Sequence, residues 1–150
     1  MKRSQRLNVI VELNARNEQA TLEALGSIQQ QRQAAEVQLE NLKVYRQDYE
    51  VKYQSIAKVG VNIKQLLEFK AFMGKLDLAI DEQKQIVLGV EKQLVSTREQ
   101  WTQQHQKTES MQKVCTAAVK KELKEEDKRE QNEQDDRASR MGRDSGIRSA

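Results

Sequence analysis

Few residues of this 150-residue chain could carry chemistry, and their spacing keeps them apart. His105 is the only histidine and Cys115 the only cysteine. A structural zinc site needs about four nitrogen or sulfur ligands at short spacing. His105 has none near it in sequence, so it reads as solvated surface with no metal role. Cys115 falls between Met111 and Ala118 on one helical stripe, where a thiol behaves as a small buried hydrophobe rather than a nucleophile. Trp101 lies on the same stripe and reads as packing. Neither G-x-x-x-x-G-K-[ST] nor G-x-G-x-x-G occurs, so no loop cradles a nucleotide phosphate. The expectation is a protein that is not an enzyme and uses no cofactor and no metal.

What remains is recognition. In "QLENLKVYRQDYE", residues 38–50, two stripes run side by side at helical spacing. Leu39, Leu42, Arg46 and Tyr49 follow a helix seam, while Gln38, Leu42, Tyr45 and Tyr49 make a second line beside it. Further along, Phe72, Leu76, Ala79 and Gln83 step by four, three and four, as the second line does. Paired antiparallel, 49 with 72, 45 with 76, 42 with 79 and 38 with 83 all share one register. Gln38, Tyr45, Phe72 and Ala79 then flank the seam. Either they merely cover its edge, or they form a docking face, since exposed aromatic clusters mark interfaces.

The elements that position these stripes follow from composition. Charged residues make up 33% of the chain and aromatic residues 4%, with no proline and six glycines, the profile of long helices and coiled coils. Leu25, Ile28, Arg32, Ala35, Leu39, Leu42, Arg46, Tyr49, Tyr53 and Ile56 alternate steps of three and four, a heptad seam. The two arginines can lay their stems along it and send the guanidinium to water. A second seam runs unbroken from Leu66 and Phe69 through Met73, Leu76, Ile80 and Leu94 to Trp101, Thr108, Cys115 and Ala118. Between the seams, "AKVGVN" holds Gly60, able to take a left-handed turn conformation, and Asn62 with Gln65 at capping-box spacing. A short turn between long helices makes them antiparallel neighbours. The expected fold is all-α, a long antiparallel two-helix coiled-coil hairpin, with helices at about 5–57 and 63–141 and a turn at about 58–62. Facing residues should pair Tyr53 with Phe69, Tyr49 with Met73 or Phe72, and Ala35 with Val87. A hairpin of two helices has no third wall to enclose a small-molecule pocket.

Upstream of Leu25 the frame shifts, since Leu22, Leu25 and Ile28 step by three twice, which overwinds a seam. Before Leu22, two frames compete: Leu7, Val11 and Ala15, or Ile10 and Leu13. After Ala118 the seam ends, and the run from Lys120 to Met141 is charged all round, helical without a packing face. Residues 142–150, "GRDSGIRSA", have no period and read as a disordered tail. Gly26, Gly74 and Gly89 sit inside helices, explicable by close approach of a helix or partner, or by drift.

A net charge of +3, with acids interrupting every basic cluster, argues against nucleic acid. A lone cysteine fits a reducing compartment. No apolar stretch approaches the ~20 residues that span a bilayer, and the start "MKRSQRLNVIVELNAR" turns polar too soon for a signal-peptide core. The chain reads as cytoplasmic, reaching any membrane through a partner.

The chain resembles the FliJ family of flagellar type III export proteins over about residues 5–140. Three stretches carry the likeness: "QAAEVQLENLKVYRQDYE", "LEFKAFMGKLDLAIDEQ" and the charged tail ending "DDRASRM". The phrase Q-L-x-x-L-x-x-Y-x-x-x-Y followed by F-x-x-x-L-x-x-A is its most specific part. The resemblance implies a coiled-coil stalk component at the cytoplasmic face of the inner membrane. Its implied partners are the hexameric export ATPase (FliI), the cytoplasmic domain of the export-gate membrane protein (FlhA) and export chaperones. It maps a gate-binding surface onto Gln38, Leu42, Tyr45, Tyr49, Phe72, Leu76 and Ala79. At the eighth position, Gln83 stands where the family commonly has histidine. A virulence-secretion stalk, or a generic coiled-coil scaffold, shares the same helical pattern.

Overall fold

The computed structural model describes residues 2–148. Two helices make up the fold, α1 (Arg3–Ala57) and α2 (Ile63–Arg148), packed against each other as a helical hairpin. With no proline anywhere, nothing interrupts either ladder of backbone hydrogen bonds. α1 ends where the chain tightens: Val59 N–H donates to Ile56 O at 3.1 Å and Gly60 N–H to Ala57 O at 3.2 Å. Gly60 then takes φ +114°, a conformation that a β-carbon would strain. α2 starts on the expected capping box. Gln65 N–H donates to Asn62 Oδ1 at 2.8 Å, and Asn62 N–H to Gln65 Oε1 at 3.2 Å, which satisfies two groups that a helix start otherwise leaves open.

The fold divides into two compact units, Gln19–Gln103, and Met1–Glu18 with Gln104–Ala150. In Gln19–Gln103 the seam is the expected one. Leu25 and Ala35 of α1 and Met73, Leu76, Ile80, Val87 and Leu94 of α2 are its buried apolar residues. Leu22 is 45% exposed, so the expected overwinding there does not occur. Thr21 takes the seam position instead, and the steps of three and four go on unbroken.

In the second unit the seam continues through Glu18, Asn14, Val11, Leu7 and Ser4, which are the less exposed residues there. Neither frame weighed from the sequence is the right one throughout. Ile10, Leu13 and Ala15 face solvent, while Leu7 and Val11 belong to a seam whose other positions are polar. Opposite them the second helix offers polar partners. Thr108 Oγ1 lies 2.9 Å from Gln104 O and 3.3 Å from Asn14 O, and Gln104 Nε2 donates to Asn14 O at 3.2 Å. The seam also runs one step past Ala118. Ser4 gives both its hydroxyl (2.6 Å) and its backbone N–H (3.0 Å) to Glu122. That N–H is among the first four of α1, which have no partner within their own helix, so a carboxylate from α2 caps α1.

α2 extends to Arg148, beyond the expected boundary at 141, and the residues whose exposure is described there face solvent all round. Gly142 weakens a helix without ending one when its φ stays negative, as it does here. The last two residues of the expected tail lie outside the described residues. A β-carbon at Gly26, Gly74 or Gly89 would meet no atom within 4 Å, so close approach within the molecule explains none of the three.

Candidate functional site

All eight residues singled out from the sequence lie in the unit Gln19–Gln103. Tyr45, Tyr49 and Phe72 among them belong to a cluster of five aromatic rings, comprising every tyrosine and phenylalanine in the chain. The rings alternate between helices. Tyr53 stacks on Phe69 with centroids 3.7 Å apart, and Tyr49 lies over Phe69 at 5.6 Å and Phe72 at 4.5 Å. Tyr45 meets Phe72 edge-on at 6.2 Å. Such pairs each add about 0.5–1.5 kcal/mol beyond their area, so the cluster is held rigid.

The eight residues are not equally accessible. Leu76 is 7% exposed and belongs to the core. Leu42, Tyr49, Phe72 and Ala79 are half-buried, while Gln38 is exposed and Tyr45 is 52% exposed. Gln83 turns inward and donates its Nε2 to Ala35 O at 3.0 Å, holding the helices together. Tyr45 and Gln38 are thus the most accessible of the eight, and Phe72 and Ala79 offer only their edges.

The two sides of the seam differ in charge. On the side away from Tyr45, Arg46 Nε bonds Asp77 at 2.6 Å and its Nη1 reaches Glu50 at 3.3 Å. Arg32 likewise contacts Glu36 at 3.1 Å and Glu91 at 3.9 Å. The hydrogen bond that Arg46 donates to Asp77, then the charges of Asp77 and Glu50, raise the Arg46 pKa further above its ordinary value. Both seam arginines lean the same way, so ion pairs seal one flank. On Tyr45's side the positions next to the seam are Gln38, Phe72, Ala79 and Ile86, none of them charged, while Lys52 follows one heptad after Tyr45. Ile86, 53% exposed, was legible as the next step of seven after Phe72 and Ala79, yet the stripe drawn from the sequence stopped at Gln83.

His105 is not simply solvated. Its Nδ1 lies 2.5 Å from Glu18 Oε1 across the seam and its Nε2 3.2 Å from Glu109 Oε1. The Glu18 hydrogen bond, against a smaller desolvation effect, raises its pKa above 6.5. Among the described residues no three His, Cys, Asp or Glu side chains are placed to hold a metal. Hollows around Glu109 to Lys120 and around Leu88 to Gln103 are lined by α2 side chains alone, so no second helix closes over them.

Two long helices packed along one seam, with an ion-paired flank and an aromatic flank, define a class: the helical, coiled-coil-like hairpin. The chain belongs to the flagellar FliJ family, whose model, described as "Flagellar FliJ protein", matches residues 2–146. Membership makes it a non-catalytic component of the flagellar export apparatus. No curated protein and no solved structure matches the chain.

Proposed function

We propose that this protein is a coupling, stalk-like component of flagellar export that contacts the export ATPase ring, the export-gate membrane protein and export chaperones. The gate's cytoplasmic domain docks on the flank formed by Gln38, Tyr45, Phe72 and Ala79. One observation carries this reading. An exposed tyrosine is braced edge-on by Phe72 across the helices, on the one flank free of ion pairs. A rigid aromatic anchor of that kind loses little side-chain freedom on binding. The protein works in the cytoplasm and meets the membrane through the gate. This agrees with the lack, among the described residues, of any helix long and apolar enough to cross a bilayer.

The docking reading separates two effects. Tyr45→Ala with Phe72→Ala removes anchors and spares the seam, so binding to the gate domain should fall by at least ~2 kcal/mol, more than tenfold, while helicity and ATPase-ring binding persist. Gate-domain titration beside circular-dichroism melting checks it. Parent-like gate binding by the double variant would leave Tyr45 as nothing more than a seam edge.

A further inference from the structure

We propose that the docking face continues past Ala79 along the uncharged flank to Ile86 and Gly89, and takes a closely packed, uncharged apolar ridge of the partner. This rests on the docking reading above and extends it by more than one heptad.

Two independent observations carry it. The first is the charge pattern. Beyond Tyr45 and Phe72, the line next to the seam on this flank is Gln31 and Gln38 from α1 and Ala79, Ile86 and Gln93 from α2, without one ionisable group, and Gly89 lies one line further out, a heptad after Glu82. Opposite them across the seam stand the pairs of Arg32 and Arg46. In a chain that is 33% charged, an uncharged strip on two neighbouring helices fixes the partner's chemistry. A partner lysine or glutamate pressed onto the line next to the seam would lose its water and meet no counter-ion on that line, so the ridge that fits it carries neither. Ile86 supplies the apolar contact and is 53% exposed without one in the isolated chain.

The second is Gly89. It lies in the interior of α2, where glycine is the poorest helix former short of proline. Its backbone is ordinary helix with no positive φ, and a β-carbon there would touch nothing. Neither backbone conformation nor packing within the chain requires a glycine. It is the one interior glycine on this flank, lying between Ile86 and Gln93. A missing side chain at that point lets a partner's backbone or bulky side chain sit against the α2 backbone.

The test titrates the full-length protein with the gate's cytoplasmic domain, with Ile86→Asp, Gly89→Leu, Tyr45→Ala and, as a control on the opposite face of α1, Val44→Asp. Leucine favours a helix over glycine, so Gly89→Leu should be at least as helical as the parent by circular dichroism. Ile86→Asp and Gly89→Leu should each weaken binding about tenfold or more, Val44→Asp should not, and the parent's affinity should barely change with added salt. If Tyr45→Ala loses binding while Ile86→Asp and Gly89→Leu bind as the parent, the face ends at Ala79. The extension is then wrong and the docking reading stands. If all variants bind as the parent, both fall. A steep loss of affinity with salt would overturn the uncharged partner surface. A parent that sediments as a dimer, made monomeric by Ile86→Asp, would make the occupant a second copy of this chain instead.

Discussion

His105 has a carboxylate at each ring nitrogen, Glu18 from the facing helix and Glu109 one turn along its own. The doubly protonated ring can donate to both at once, which the neutral ring cannot. Its pKa is therefore raised in the folded state, chiefly by the Glu18 hydrogen bond. The sign follows by linkage. The contribution to stability is complete below the ordinary imidazole value of about 6.5 and disappears as pH climbs through the higher folded-state value. Glu122 behaves in the opposite sense. Hydrogen bonds from the Ser4 hydroxyl and backbone N–H lower its pKa. What it contributes is complete above the ordinary carboxylate value of about 4.3 and is lost as pH falls through the lower folded value. Protection of the amides of residues 5–18, with the intrinsic pH dependence of exchange divided out, should thus be greatest at mildly acidic pH and fall on both sides. His105→Gln should abolish the alkaline limb and Glu122→Gln the acid one. A flat profile in the parent would show that neither group holds the helices together. At the turn, Gly60→Ala puts a β-carbon at φ +114° and should cost on the order of 1–3 kcal/mol by thermal melting. An unchanged melting point would mean that the turn relaxes at no cost.

Each helix shows what a heptad pattern can and cannot reveal. Where the seam is apolar, it was legible residue by residue. From Phe69 to Leu94 every third or fourth residue is the one that is shielded, and Tyr53 faces Phe69 as the antiparallel register requires. The turn was legible too, because Gly60, Asn62 and Gln65 act through local backbone chemistry. The frame was lost where the seam turns polar. Thr21, Glu18, Asn14 and Ser4 hold positions that hydrophobic periodicity cannot identify, and Leu22, Leu13 and Ile10 pulled the reading onto solvent-facing positions. Glu18 and Ser4 are tolerated there because the other helix answers them with His105 and Glu122, while Thr108 and Gln104 reach only the backbone carbonyl of Asn14. Long-range pairing of that kind is not written in either helix alone. Leu94, 4% exposed, changed to alanine should cost about 2–5 kcal/mol in a chemical-denaturation experiment, because it empties a packed position. Asn14, 5% exposed, has a buried Nδ2 without a hydrogen-bond partner. Asn14→Leu should therefore stabilise the chain by about 1–3 kcal/mol, the desolvation penalty of an unmade hydrogen bond. A destabilised Asn14→Leu would mean that the amide fixes register by more than its visible contacts.

At the scale of the whole molecule, the two units should differ in how easily they open. The unit Gln19–Gln103 has all of the buried apolar residues among those described, and the five-ring cluster. The unit of Met1–Glu18 and Gln104–Ala150 instead buries Ser4, Asn14 and Thr108. Buried apolar area contributes about 25 cal/mol per Å², whereas a hydrogen bond exchanged for one to water nets only about 0.5–1.5 kcal/mol. The opening free energy is consequently expected to be lower for the polar unit, and local opening is what native-state amide exchange reads. Residues 5–18 and 104–122 should exchange in minor openings, sensitive to pH and little affected by low denaturant. Residues 25–53 and 69–97 should exchange only through larger openings, whose free energy falls steeply with denaturant as more surface is exposed. Leu94→Ala, which lies in the apolar unit, should speed exchange at 25–53 and leave the pH profile of 5–18 unchanged. If protection were uniform along both helices, and every variant shifted all amides together, the hairpin would open as one cooperative body, and the difference between apolar and polar seams would have no dynamic consequence.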